Sequence, residues 1–137
     1  MRFENKKDLD REDKAIELFV KQFNGKAIKL GENDIDFKVF DSEDKLISYV
    51  EVKGRLRPLG EAFPLPIAVR KLVKVSDKRV NPVIIWACSD GIIYSLVKDL
   101  RGVIKYSGRK PREGSSNDLE LMAYFGDKGN KFKAIYY

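Results

Sequence analysis

Apolar positions Leu9, Ala15, Ile16, Phe19, Val20 and Phe23 recur at helical spacing and predict a helix from about residue 11 to 24. Asp10 would cap it, Asn24-Gly25 would end it, and residues 1–8 form a polar start. A short strand is expected over 26–30. From 34 to 41 the pattern becomes alternation, with Ile35, Phe37 and Val39 against Asp34, Asp36 and Lys38, the period of a half-buried strand. Residues 45–53 form its hairpin partner across the polar Ser42-Glu43-Asp44 turn. The Gly- and Pro-containing stretch 54–66 reads as a loop. A helix over 67–78 would turn Val69, Leu72, Val73 and Ser76 inward and Arg70, Lys71, Lys74 and Lys78 outward. Residues 82–88 and 92–97 form a hairpin across Ser89-Asp90-Gly91, since Asp-Gly suits a tight strand turn. Residues 98–118 read as a long basic loop with one helical turn, and 119–125 with 131–136 as a last hairpin. The order defines a mixed α/β or α+β domain.

Composition narrows the function. A chain of 137 residues, 43% hydrophobic and 35% charged, suits a single domain over 1–137. No apolar run approaches membrane-spanning length, and the polar N-terminus lacks the apolar segment of a signal peptide. With its single cysteine, the expected setting is the cytoplasm. There is no histidine, which excludes Ser-His-Asp and Cys-His triads, histidine bases and the usual zinc sites. Any catalysis must rest on carboxylates, Lys, Arg, Tyr or an oxygen-bound hard cation.

The net charge of +6 is unevenly spread. Residues 1–52 carry 10 Lys/Arg against 13 Asp/Glu, whereas residues 53–112 carry 14 against 4. So basic a middle favours a polyanionic partner, nucleic acid first. Trp86 and Cys88, in an apolar run, are expected in the core, and Tyr49 and Tyr106 are either strand packing or base-stacking groups.

The informative residues are Asp36 and Glu51-Val52-Lys53. On a strand Glu51 and Lys53 share a face while Val52 turns to the other. If the hairpin loop has four residues, 42–45, Phe40 opposes Ile47, Lys38 opposes Tyr49, Asp36 opposes Glu51 and Asp34 opposes Lys53. The two acids would then lie roughly 5 Å apart at Cβ, while a one-residue slip would send them to opposite faces. Opposed carboxylates repel unless a cation lies between them, and a hard divalent ion with carboxylate, carbonyl and water ligands resolves the repulsion. Lys53 beside such an ion would orient a water or stabilise charge building on a phosphate. Glu12 falls on the Ile16-Phe19-Phe23 stripe, either as a third acid of the site or as an acid complementing the helix N-terminus.

A helix acid (Glu12), an Asp on a hairpin strand (Asp36), and then Glu51-Val52-Lys53 followed by Gly54 make a pattern that resembles the PD-(D/E)xK nuclease superfamily. The α-β-β-β-α-β order of residues 10–97 agrees with it, and the size is most similar to small single-domain members such as Holliday-junction resolvases and VRR-type nucleases. The resemblance implies a restriction-endonuclease-like core, a central mixed sheet flanked by helices, here with an extra C-terminal hairpin. It implies metal-dependent phosphodiester hydrolysis, usually of DNA, with RNA as an alternative. Asp36, Glu51 and the Val52 carbonyl would hold Mg²⁺ (or Mn²⁺), Lys53 would assist the attacking water, and Glu12 would be an auxiliary ligand. Ile35 stands where the superfamily has Pro, and no Gln-x-x-x-Tyr follows, which disfavours the RecB-like subgroup. Asp34 is a rival ligand if the register differs. Arg55, Arg57, Arg70, Lys71, Lys74, Arg101, Lys105, Arg109, Lys110 and Arg112 would contact nucleic-acid phosphates. A homodimer is one expectation, its interface supplied by the late apolar segments. A catalytically inactive nucleic-acid-binding module of the same fold is the other reading.

Overall fold

The computed structural model describes residues 6–31, 35–77, 80–108 and 119–137. In chain order these form α1 (Lys6–Lys21), β1 (Lys26–Lys29), β2 (Phe37–Phe40), β3 (Leu46–Gly54), β4 (Leu65–Ala68), α2 (Val69–Ser76), β5 (Val83–Ala87), β6 (Gly91–Leu96), β7 (Val103–Gly108), β8 (Leu119–Phe125) and β9 (Lys133–Tyr136). The fold is mixed α+β. A six-stranded sheet runs β1-β2-β3-β5-β6-β9, and a three-stranded sheet runs β4-β8-β7. β3 and β5 are parallel, and the other pairs are antiparallel.

Two apolar cores sandwich the larger sheet. On one face, Ala15, Ile16 and Phe19 of α1 pack with Val39, Val50, Val52 and Ile85. On the other, Val75 of α2 joins Ile35, Leu65, Ile67, Ile84, Trp86 and Phe125. Every residue of β5 is buried, as a strand covered on both faces requires. Trp86 is fully buried and its Nε1 donates to the Pro66 carbonyl at 2.8 Å, so the indole takes the core place expected of it.

Several boundaries and one pairing differ from the sequence expectation. α1 begins at Lys6, so Asp10 lies inside it and is not its cap. A strand, β4, occupies the end of the expected 54–66 loop and the first turn of the expected helix. Pro66 suggested a loop, but β4 pairs only with β8, and an edge strand tolerates a residue with no N–H. α2 therefore starts later and buries Val75, leaving Val73 65% exposed and Ser76 at the surface. β7 crosses the expected 98–118 loop. The expected C-terminal hairpin is not formed, because β8 joins β4 and β7 while β9 joins β6 in the other sheet. Ala123 and Phe125 commit β8 to the second core. β9 docks where Gly91 leaves room, since a Cβ there would collide with the Ile135 carbonyl. Among the described residues no helix is long and apolar enough to cross a membrane.

Candidate functional site

The β2–β3 hairpin positions the two central acids. Its pairs Phe37↔Val50, Lys38↔Tyr49 and Val39↔Ser48 follow the expected register, but Phe40 faces Leu46, not Ile47. The turn is one residue shorter than expected. Asp41 N–H donates to the Lys45 carbonyl, and Asp41 Oδ1 accepts from the amides of Glu43 and Lys45. Asp44 completes the turn at φ 65°, in the left-handed region that short Asp side chains tolerate. A bulge between Val39 and Phe40 then restores the expected register, which holds as far as Phe37 and Val50.

Regular pairing stops at Phe37, and the Asp36 side chain takes over. Its Oδ2 accepts the Val52 N–H at 2.7 Å, while its own carbonyl accepts from Leu30 N–H at 3.0 Å. A carboxylate thus replaces the missing strand neighbour of Val52. The amide and carbonyl of one strand residue leave on the same side, so the Val52 carbonyl shares that edge.

Glu51 points away from α1, between Ile84 on β5 and the α2 side of the sheet. It is 3% exposed, Oε1 lies 3.7 Å from Lys71 Nζ, and Oε2 has no hydrogen-bond partner. Burial first, then the charge of Asp36, pushes its pKa up to about 7 against the opposing pull of Lys71 and Lys74. Lys71 was expected to face water but turns inward, its side chain only 18% exposed. The shorter helix sets this phase, placing Lys71 one turn before buried Val75.

Beside this pair, at the C-terminal ends of β3 and β5, opens a cleft of about 580 Å³. Its walls include Arg11 and Glu12 of α1, Val52 and Lys53 of β3, Arg55, and Arg70 and Lys71 of α2. Lys71 therefore touches both the buried acid and the cleft, which Asp36 and Glu51 do not themselves line. Glu12 is buried on the α1 face and lies 3.5 Å from Lys29 Nζ, on the opposite side of the sheet from Glu51. Among the described residues, no three carboxylate or thiol groups converge so as to hold a metal ion. The acids brought together are two, Asp36 and Glu51.

The expected phosphate contacts divide. Arg55 is tied down, its Nε to the Ala62 carbonyl (2.9 Å) and its Nη2 to the Pro64 carbonyl (3.3 Å). Arg70 pairs with Glu120 at 3.0 Å, Lys105 lies over the Tyr124 ring, and Arg101 Nη1 is held by the carbonyls of Lys98 and Leu100. Arg57 is exposed. Tyr49 packs against the second core, and Tyr106 is 73% exposed. Asp34, Arg109, Lys110 and Arg112 lie outside the described residues. Cys88 is a buried thiol whose pKa burial raises to about 11, which removes it as a nucleophile.

Sequence reasoning missed Arg11. It sits 3.3 Å from Asp8 on the same helix face and passes so close to Gly54 that a Cβ there would lie 3.1 Å from Nη1. The i, i+3 pairing with Asp8 and the glycine directly after Lys53 were the available signals.

No family model, curated protein or solved structure matches the chain. Asp36 and Glu51 offer oxygens only, and the buried Glu51 Oε2 accepts no hydrogen bond, the kind of donor a hard cation would suit.

Proposed function

We propose that this chain is a metal-dependent nuclease that hydrolyses phosphodiester bonds in DNA. The observation that carries the reading is Glu51, buried beside Asp36 with one oxygen unsatisfied, at the edge of a cleft walled by Arg11, Lys53, Arg55, Arg70 and Lys71. The order α1-β1-β2-β3-β4-α2-β5, in which β4 belongs to the smaller sheet and β3 runs parallel to β5, is compatible with the restriction-endonuclease-like core implied by the PD-(D/E)xK resemblance.

Asp36, Glu51 and the Val52 carbonyl would hold Mg²⁺ or Mn²⁺, which when bound supplies Lewis acidity and a more acidic water. Asp36 has a double task, since the carboxylate offered to the cation also fixes the Val52 amide at the strand edge. Lys53, on the same strand face as Glu51 and in the cleft wall, orients the attacking water and stabilises charge on the phosphate. Arg11 and Arg70 line the same cleft, where they hold flanking phosphates. Glu12, from the α1 side, is the auxiliary acid of the cleft wall.

A second reading, a nucleic-acid-binding domain without turnover, is favoured by two observations. Among the described residues only two acids converge, and the Lys71 ammonium already stands 3.7 Å from Glu51. A cleavage panel separates the readings: single-stranded, duplex, flap and four-way DNA, and RNA, each with Mg²⁺ and Mn²⁺. The nuclease reading expects metal-dependent cutting that Glu51→Ala and Lys53→Ala abolish while binding persists. Retained cutting in both variants refutes the site, cutting of RNA alone redirects the substrate, and salt-sensitive binding with no cutting establishes the second reading.

A further inference from the structure

We propose that Lys71 is a placeholder for the divalent cation: its ammonium neutralises Glu51 until the cation enters, and is then released into the cleft to take a substrate phosphate. The inference rests on the metal-site reading above and adds to it a coupling between cation and phosphate binding.

Three features of Lys71 lead there. Its Nζ stands 3.7 Å from Glu51 Oε1, an electrostatic contact longer than a hydrogen bond and therefore cheap to break. It leaves Oε2 without a hydrogen bond in a residue 3% exposed. It also lines the cleft, so its head needs only to rotate about its own flexible stem, with no movement of α2. Arg70, the preceding residue, is already at the cleft wall with its side chain 68% exposed, and marks where the released charge would go.

The charges around Glu51 make the exchange directional. The Lys71 ammonium stands beside its Oε1, and Asp36 lies across the strand edge with its Oδ2 on the Val52 amide. A dication entering at Asp36 and Glu51 supplies more positive charge than Lys71 does and repels its ammonium. The freed lysine then favours an anion in the cleft, and by linkage a phosphate in the cleft favours the cation by the same factor. Residues that are spectators in a simple ion pair thus order the assembly of the site.

The test is calorimetric Mg²⁺ binding at pH 8.5 to the wild type, Lys71→Gln and Lys71→Arg. Lys71→Gln is expected to bind Mg²⁺ roughly threefold to fivefold more tightly, the equivalent of one weak ion pair that no longer has to be broken. Lys71→Arg, which keeps the charge, is expected to match the wild type. Independently, acetylation of Lys71 in the wild type, read by peptide mass spectrometry, should rise several-fold on saturation with Mg²⁺ while that of distant Lys105 stays constant. This second readout stands even if Lys71→Gln fails to fold. Unchanged or weaker Mg²⁺ binding by folded Lys71→Gln, or unchanged Lys71 acetylation, overturns the proposal while leaving the metal site standing. Absence of Mg²⁺ binding by the wild type overturns both.

Discussion

Glu51→Gln should make the protein more stable at alkaline pH and alter how stability depends on pH. In the folded chain the Glu51 carboxyl has a pKa of about 7, against an ordinary value of 4.5. The folded state therefore holds the proton longer than the unfolded state. The sign follows: Glu51 contributes its full stability below the unfolded value, and loses it as pH rises from about 4.5 through 7. A shift of about 2.5 units, at roughly 1.4 kcal/mol each, amounts to roughly 3 kcal/mol. The side chain is nearly inaccessible, so solvent screening takes little from this figure. Glutamine removes the titration and keeps the shape. It also removes the partner of Lys71, an attraction that appears only as Glu51 ionises and is already contained in the Glu51 pKa. Urea unfolding with EDTA at steps from pH 4.5 to 8.5 should show the wild type losing roughly 3 kcal/mol relative to the variant, most of it between pH 5 and 8. Added Mg²⁺ at pH 8.5 should restore the wild type and not the variant. Parallel stability curves for the two proteins would refute a buried, charge-opposed Glu51.

Other substitutions test neighbouring links. Asp36→Ala strips the Val52 amide of its charged acceptor and should cost roughly 2 kcal/mol in urea unfolding, whereas Asp36→Asn keeps an acceptor and should cost less. Carbon-detected NMR titration of Glu51 in Asp36→Asn should give a carboxyl pKa below the wild-type value, because burial still raises it but the negative charge of Asp36 no longer does. Trp86→Phe opens a cavity and orphans the Pro66 carbonyl, and thermal unfolding should register a loss of roughly 3 kcal/mol. Cys88, buried with its pKa near 11, should react with a thiol reagent at pH 8 only as fast as the protein opens.

Much of the site was legible because strand periodicity is strict. The alternation around Asp36 and around Glu51-Val52-Lys53 fixes faces, and Phe37, Lys38 and Val39 meet Val50, Tyr49 and Ser48 in the expected register although the turn differs. Two departures cancel: Asp41 captures the amides of Glu43 and Lys45 and shortens the turn, and the bulge at Val39/Phe40 takes the residue back. Neither is visible in a hydrophobic pattern, since both depend on side chain-to-backbone hydrogen bonds. The buried Trp86 and Cys88 were equally plain, lying in an unbroken apolar strand.

What escaped reading depends on tertiary pairing. Leu65-Pro66-Ile67-Ala68 becomes a strand only because β8 is there to receive it, and that shift rotates α2 so that Lys71 meets Glu51. Residues 119–125 and 131–136 have the polar, Gly-containing turn of a hairpin, yet they part into different sheets. Local sequence offers each strand a turn, but the competing edges of β4, β7 and β6 decide the partners. Of the basic residues, sequence gives the charge and the structure gives its use: Arg55 and Arg101 hold backbone carbonyls.

Whether Asp36 and Glu51 share one divalent cation is decided by Mn²⁺ binding followed by electron paramagnetic resonance at neutral pH. One Mn²⁺ should bind per wild-type chain, and that binding should be lost in Asp36→Asn and in Glu51→Gln while both variants remain folded. A wild type that binds no Mn²⁺, or folded variants that bind it as the wild type does, would contradict a shared cation.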